Sequence, residues 1–152
     1  MSIDPVALVT AVARCDAWLD TMRGPGGYGG PVAHWWQDCL LYTGAGLDWR
    51  YEGIILGYLN LYNKTGDPRW LAKARRAGDD LVRGQLSDGC FRNSSFEGNP
   101  YPGGTPHEAG CDLALLELAR ALKGHGDTEW QTYASVAERN LRGFILGRLW
   151  DS

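Results

Sequence analysis

The sequence has no apolar run that approaches the roughly 18 to 20 residues needed to span a membrane as a helix. Its N-terminal segment, MSIDPVALV, also lacks the basic stretch and apolar core of a secretory signal. We therefore expect a cytoplasmic chain that has no membrane partner.

Concentrated positive charge is missing as well. The 152 residues carry a net charge of −3, and the Lys and Arg residues are scattered among acids, so there is no basic stripe for nucleic acid. The glycine-rich segment 24–30, GPGGYGG, is not followed by Lys-Ser/Thr and does not follow a predicted strand, which argues against a phosphate loop. Nucleic acid and nucleotides are not expected partners.

The four cysteines form no CxxC motif and are widely spaced, at Cys15, Cys39, Cys90 and Cys111. We expect them to be buried free thiols. The segment HEAGC places His107 and Cys111 four residues apart on a predicted helix, as in a zinc site. Two further ligands would have to come from the other cysteines in loops, and we expect no metal and no other cofactor.

Glycine and aromatic residues, in contrast, are abundant, with 21 Gly, 7 Trp and 7 Tyr. The glycines concentrate in 24–46 and 84–110, where the sequence shows no hydrophobic period. Long loops of this kind in a compact domain are usually functional. With 44% hydrophobic residues, the chain is long enough for one domain over 1–152 with a sizeable core.

The hydrophobic period predicts an all-α fold of five helices, over 5–22, 48–64, 68–83, 105–123 and 127–145. The second and fourth helices are apolar on every side and are expected to be buried all round, whereas the other three each carry one apolar stripe. Buried inner helices and surface outer helices therefore alternate. Short turns follow the inner helices, and long loops precede them.

An internal repeat supports this alternation. Gly66, Asp67 and Trp70 recur 60 positions later as Gly126, Asp127 and Trp130. A fainter echo aligns the first helix with the third, so the chain contains about two and a half α/α-hairpin units. In this arrangement both long loops and the starts of both inner helices fall at the same end of the fold.

Alternating inner and outer helices, a GDPxW-type turn and long Gly-aromatic loops resemble the (α/α) toroid enzymes of the six-hairpin glycosidase-like superfamily. The layout is similar to that of unsaturated glucuronyl hydrolases and sugar epimerases, over Asp48 to Leu146. Because a closed ring has the six hairpins of the superfamily's name, the resemblance implies an open segment of an α/α toroid, or a piece of a larger one. It also implies that catalytic acids and aromatic sugar platforms lie at the inner-helix starts and in the adjoining loops.

Four acids lie at the starts of the inner helices: Asp48, Glu52, Glu108 and Asp112. Glycoside hydrolysis requires two carboxyl groups, one protonated and one ionised. We expect Glu52 and Asp112 to be this catalytic pair, because each lies a turn inside an apolar helix and must find a partner or a cavity there. Asp48 and Glu108 could contact substrate, or could only cap the helices and complement their dipoles.

The other candidate site residues are aromatic or polar and lie in the long loops or at the inner-helix starts. His107 is a candidate acid or sugar-binding residue, with a surface histidine as the alternative. Trp35 and Trp36 suit a stacking platform, or one of them could close the loop onto the core. The remaining candidate substrate contacts are Asp38, Trp49 and Tyr101.

The function predicted from these residues is that of a carbohydrate-active protein of glycoside hydrolase or sugar epimerase type. The alternatives are a non-catalytic sugar-binding module and a structural helical-repeat interaction protein. Besides a carbohydrate ligand we expect a homodimer or a larger chain, because an open arc leaves its end helices uncovered. The apolar residues at those ends are Leu8, Val12, Leu19, Phe144, Ile145, Leu149 and Trp150.

Overall fold

The computed structural model of the chain describes residues 4–33, 40–43, 45–94 and 105–149. The fold is mostly helical, as predicted, and five α-helices lie in these ranges. Two compact units divide the chain, Met1–Ala45 and Gly46–Ser152; a single domain over 1–152 stays a prediction. None of the helices in the described ranges has the length and apolarity needed to cross a membrane.

The first unit begins with helix α1, Pro5–Thr21, and the side chain of Asp4 caps it by accepting a hydrogen bond from the backbone N–H of Val6 at 3.0 Å. No residue of α1 is buried. The prediction that Cys15 is buried is therefore wrong, since the cysteine lies on this exposed helix. The sequence shows that α1 has an apolar stripe, but it does not show whether another element covers that stripe.

Two short antiparallel hairpins follow α1. Strand β1, Arg23–Gly24, pairs with β2, Gly27–Tyr28, and β3, Gly30–Ala33, pairs with β4, Leu40–Thr43. The sequence predicts only a loop without period here. Strands of two to four residues are too short to show the alternation by which a strand is recognised in a sequence.

The second unit consists of helical hairpins. Helices α2, Arg50–Thr65, and α3, Pro68–Gly84, form the first hairpin, and α4, Thr105–Gly124, and α5, Trp130–Asn140, form the second. The last helix continues as a π-helix, π1, over Leu141–Leu149. Helix α2 packs against α3 and α4, and α4 packs against α2, α5 and π1.

The turns inside the two hairpins confirm the repeat. Gly66 and Gly126 both have positive φ, 68° and 74°, a conformation that strongly favours glycine. Asp67 accepts a hydrogen bond from the backbone N–H of Arg69 at 3.0 Å, and Asp127 accepts one from Glu129 at 2.9 Å. Each hairpin thus turns by the same local chemistry.

The repeat also extends to the core. Helix α2 buries four residues, and the residues 60 positions later on α4 are buried as well: Tyr51, Ile55, Tyr58 and Leu59 in α2, and Cys111, Leu115, Leu118 and Ala119 in α4. The two inner helices therefore present equivalent faces to the core of the second unit.

The expectation that the inner helices are buried all round is wrong. Leu113 and Leu116 on α4 are 44% and 42% exposed, and Gly53 and Gly57 on α2 are exposed. A helix that is apolar on every side can be buried on every side only if it has neighbours all round. Helix α2 and helix α4 each have neighbours over part of their circumference.

The C-terminal end differs from the sequence prediction too. Phe144 and Ile145 are buried and pack with Cys90, Ala109 and Leu141, so they do not form an uncovered flank. The π-helix turns them onto the segment after α3. Trp150 and the side chain of Leu149 lie outside the described residues.

Candidate functional site

The candidate residues of the two inner helices lie in the described part of the chain, and four loop residues do not. Trp35, Trp36, Asp38 and Tyr101 fall outside the described residues, as does Cys39. Their roles stay predictions.

The starts of α2 and α4 come together at Gly110. A Cβ atom on Gly110 would lie 2.9 Å from the Cα of Trp49 and 3.3 Å from Oε2 of Glu52. Only glycine allows the two inner helices to approach this closely. The carboxylate of the half-buried Glu52 therefore lies beside α4, close to the first turns that carry Glu108 and Asp112.

Asp48 is fully buried and is held by Arg50. Its Oδ1 accepts a hydrogen bond from the backbone N–H of Arg50 at 2.9 Å and one from the Arg50 Nε at 2.8 Å. The Arg50 Nη2 donates to Oδ2 at 2.7 Å. Both oxygens of Asp48 are therefore used within the chain, in hydrogen bonds and an ion pair with the first residue of α2.

Glu108 is 0% exposed and joins α4 to two other segments. Its Oε2 accepts hydrogen bonds from the backbone N–H of Phe91 at 3.1 Å and from Nδ2 of Asn140 at 2.6 Å. Its Oε1 accepts a hydrogen bond from the hydroxyl of Ser94. Burial raises the pKa of Glu108, and these hydrogen bonds oppose the rise.

Asp112 lies one turn further along α4 and, unlike Glu108, is not held by hydrogen-bond donors of the described residues. It is 2% exposed, and neither of its carboxyl oxygens has a hydrogen-bond partner among the described residues. Burial, and then the negative charge of Glu108, raise the pKa of Asp112 to about 8. Asp112 is therefore mainly protonated at neutral pH.

Cys111 lies among the same carboxyl groups. Burial raises the pKa of its thiol well above the ordinary value, and the charges of Glu108, Asp48 and Asp112 raise it further. The thiol is therefore neutral and a poor nucleophile. No group of three His, Cys, Asp or Glu side chains that could hold a metal ion occurs within the described ranges.

His107 and Trp49 are the remaining described candidates. The Nδ1 atom of the half-buried His107 is buried and has no hydrogen-bond partner in the described part of the chain. Trp49 is 48% exposed and lies at the start of α2, next to the contact with Gly110. An exposed aromatic side chain beside a carboxylate could stack on a sugar ring.

Sequence reasoning missed Ser94 and Asn140, although both bind Glu108. Asn140 also donates to the carbonyl oxygen of Gly89 at 2.9 Å, so it holds the turn after α3 against α5. The repeat contained a usable signal: Asn140 lies 60 positions after Asp80, and both are buried polar residues on outer helices. Ser94 lies in a loop without period, and no pattern indicated its contact.

Comparisons of the chain with models of protein families, with curated proteins and with solved structures found no match. The family resemblance therefore remains an inference from the sequence pattern.

Proposed function

We propose that this protein acts on carbohydrate, as a glycoside hydrolase or a sugar epimerase, at a site where α2 and α4 begin. The observation that carries the proposal is the buried carboxyl group of Asp112, which has no hydrogen-bond partner in the described part of the chain and whose pKa of about 8 keeps it protonated at neutral pH. A carboxylic acid held in this state can act as a general acid.

The second carboxyl group is that of Glu52. It is half-buried on the neighbouring inner helix and lies beside Gly110. In hydrolysis Asp112 would give its proton to the glycosidic oxygen as the bond to the anomeric carbon breaks. Glu52 would accept a proton from the attacking water, or would itself attack that carbon. In an epimerase the two groups would remove and return a proton at one sugar carbon.

Trp49 and His107 would contact the sugar, whereas the contacts expected from the loop residues Trp35, Trp36, Asp38 and Tyr101 stay predictions from the sequence. We do not retain Asp48 and Glu108 as substrate contacts, because protein donors occupy both oxygens of each carboxylate. These two residues instead fix the inner-helix starts from which the proposed acids project.

A glycan array and a panel of chromogenic glycosides and free sugars test this function. The wild-type chain should bind a glycan and convert a related substrate, whereas Glu52→Gln and Asp112→Asn should bind it and lose most turnover. Glu138→Gln removes an exposed carboxylate on α5 that pairs with Arg142, and it should behave as wild type. Binding without turnover would favour a sugar-binding module, and no binding would contradict the proposal.

The second candidate is a helical-repeat interaction protein, and the exposed Leu113 and Leu116 favour it. Self-association through this face would also suit an open segment of a toroid that is completed by a second copy or a longer chain. Light scattering at micromolar concentration should detect the complex, and Leu113→Gln with Leu116→Gln should reduce it. A monomeric wild type that binds no apolar dye would contradict this candidate.

A further inference from the structure

Glu108 and Asp112 are two buried carboxyl groups one helical turn apart, yet their surroundings are opposite. Every oxygen of Glu108 accepts a hydrogen bond, and no oxygen of Asp112 has a partner among the described residues. Since two buried like charges at this spacing repel, the pair favours a state with one proton. The donors decide which group holds it.

The donors select Glu108 as the ionised member. Oε2 of Glu108 accepts from the backbone N–H of Phe91 and from Nδ2 of Asn140, and neither of these nitrogens can accept a hydrogen bond in return. Oε1 receives the Ser94 hydroxyl, which completes a set of three donors. Several donors to one carboxylate stabilise its charged form, as in other buried sites.

Within the described ranges, neither Glu108 nor Asp112 forms an ion pair with a basic side chain. Asp48 and Arg50 at the start of α2 bind each other through paired hydrogen bonds, and the Cys111 thiol is neutral. Burial, and also the negative charge of Asp88 in the turn after α3, raise the pKa of Glu108, and its three hydrogen-bond donors oppose this rise. The charge of Glu108 therefore acts on Asp112 without a counter-ion from these groups.

We propose that Glu108 is a positioning residue: it stays ionised on its three donors and thereby keeps the proton on Asp112. The inference rests on the proposed function in one respect: the proton that Asp112 keeps is the proton that it would give to the sugar. The protonation coupling itself exists with or without a substrate.

Carboxyl ¹³C NMR on the full chain labelled at aspartate tests the coupling, with Asp112 assigned by its loss in Asp112→Asn. Glu108→Gln removes the charge and keeps the shape, since its amide oxygen can accept from Phe91 and Asn140 while its NH₂ donates to Ser94. We expect the pH at the midpoint of the Asp112 titration to fall by roughly one pH unit or more in this variant. Glu138→Gln, the charge control on α5, should leave it unchanged.

A second variant covers the case in which Glu108→Gln does not fold. Ser94→Ala removes one of the three donors, so Glu108 takes up a proton more readily. Its charge then acts less strongly on Asp112, and the titration midpoint of Asp112 should fall, but by less than in Glu108→Gln. An Asp112 midpoint that stays at the wild-type value in each folded variant would overturn the proposal. If the Asp112 midpoint falls but no sugar is bound or converted, the positioning role of Glu108 stands and the carbohydrate function fails.

If Asp112 is needed for turnover but its midpoint does not move in these variants, the carbohydrate function stands and the positioning role of Glu108 fails.

Discussion

Arg75 on α3 forms an ion pair with Asp127, whose side chain accepts a hydrogen bond from the backbone N–H of Glu129 in the turn before α5. The same guanidinium reaches the carboxylate of Glu129 at 2.7 Å. Asp67, the repeat equivalent of Asp127, is bound by Arg69 of its own hairpin. The Arg75 contact therefore links α3 of the first hairpin to the turn of the second, at the other end of the inner helices from the candidate site.

Replacing Arg75 with alanine should loosen this link. We expect the free energy of unfolding to fall by about 0.5 to 1 kcal/mol, because the pair is partly exposed and screened by solvent. Arg69→Ala is the matched control, since it breaks a similar pair within one hairpin and should cost less. Urea denaturation of both variants measures the difference, and an equal loss would show that the Arg75 contact has no special value between hairpins.

Gly110→Ala should disturb the approach of α2 and α4. The new Cβ would lie 2.9 Å from a backbone atom of Trp49, so the helices must separate, and we expect a loss of about 1 to 3 kcal/mol in stability. Gly57→Ala on α2 is the control, because its Cβ would meet nothing within 4 Å. It should stabilise the helix by about 0.5 to 1 kcal/mol. Thermal unfolding distinguishes the two, and a neutral Gly110→Ala would contradict the close contact.

Asp112 should make stability depend on pH. Its pKa is about 8 in the folded chain and has an ordinary value of 3.8, so the folded state binds the proton more tightly than the unfolded state. The stabilisation is complete below the ordinary pKa and is lost as pH rises through the folded pKa. At pH 8 we expect Asp112→Asn to be more stable than wild type by on the order of 1 to 3 kcal/mol. Denaturation from pH 4 to pH 9 checks this, and parallel curves for the two chains would refute it.

The sequence predicts the helices and the repeat because these depend on local chemistry. Asp67 and Gly66 set the turn of one hairpin through contacts within a few residues, and the same motif recurs 60 positions later. The short strands after α1 and the exposed faces of the inner helices were missed. The strands are too short to show a hydrophobic period. The exposed faces depend on which neighbours each helix has, and the hydrophobic pattern of the sequence does not specify those neighbours.

The candidate site was predicted in part. Burial of Asp112 follows from its place in an apolar helix, and the structure confirms that burial. The different state of Glu108 could not be predicted, because its donors Phe91, Ser94 and Asn140 come from segments distant in sequence. Two acids one turn apart on the same helix thus acquire different surroundings from long-range contacts.

If Asp112 delivers a proton to a sugar substrate, as proposed, turnover must depend on the protonation of Asp112, and the pH dependence of turnover measures this. On a substrate found in the glycoside and sugar panel, kcat/KM of the wild type should fall above about pH 8, as Asp112 loses its proton. Asp112→Asn should lack both the activity and this alkaline limb, whereas Glu138→Gln should keep both. An alkaline limb that persists in an active Asp112→Asn, or wild-type activity that is constant through pH 9, would contradict the account.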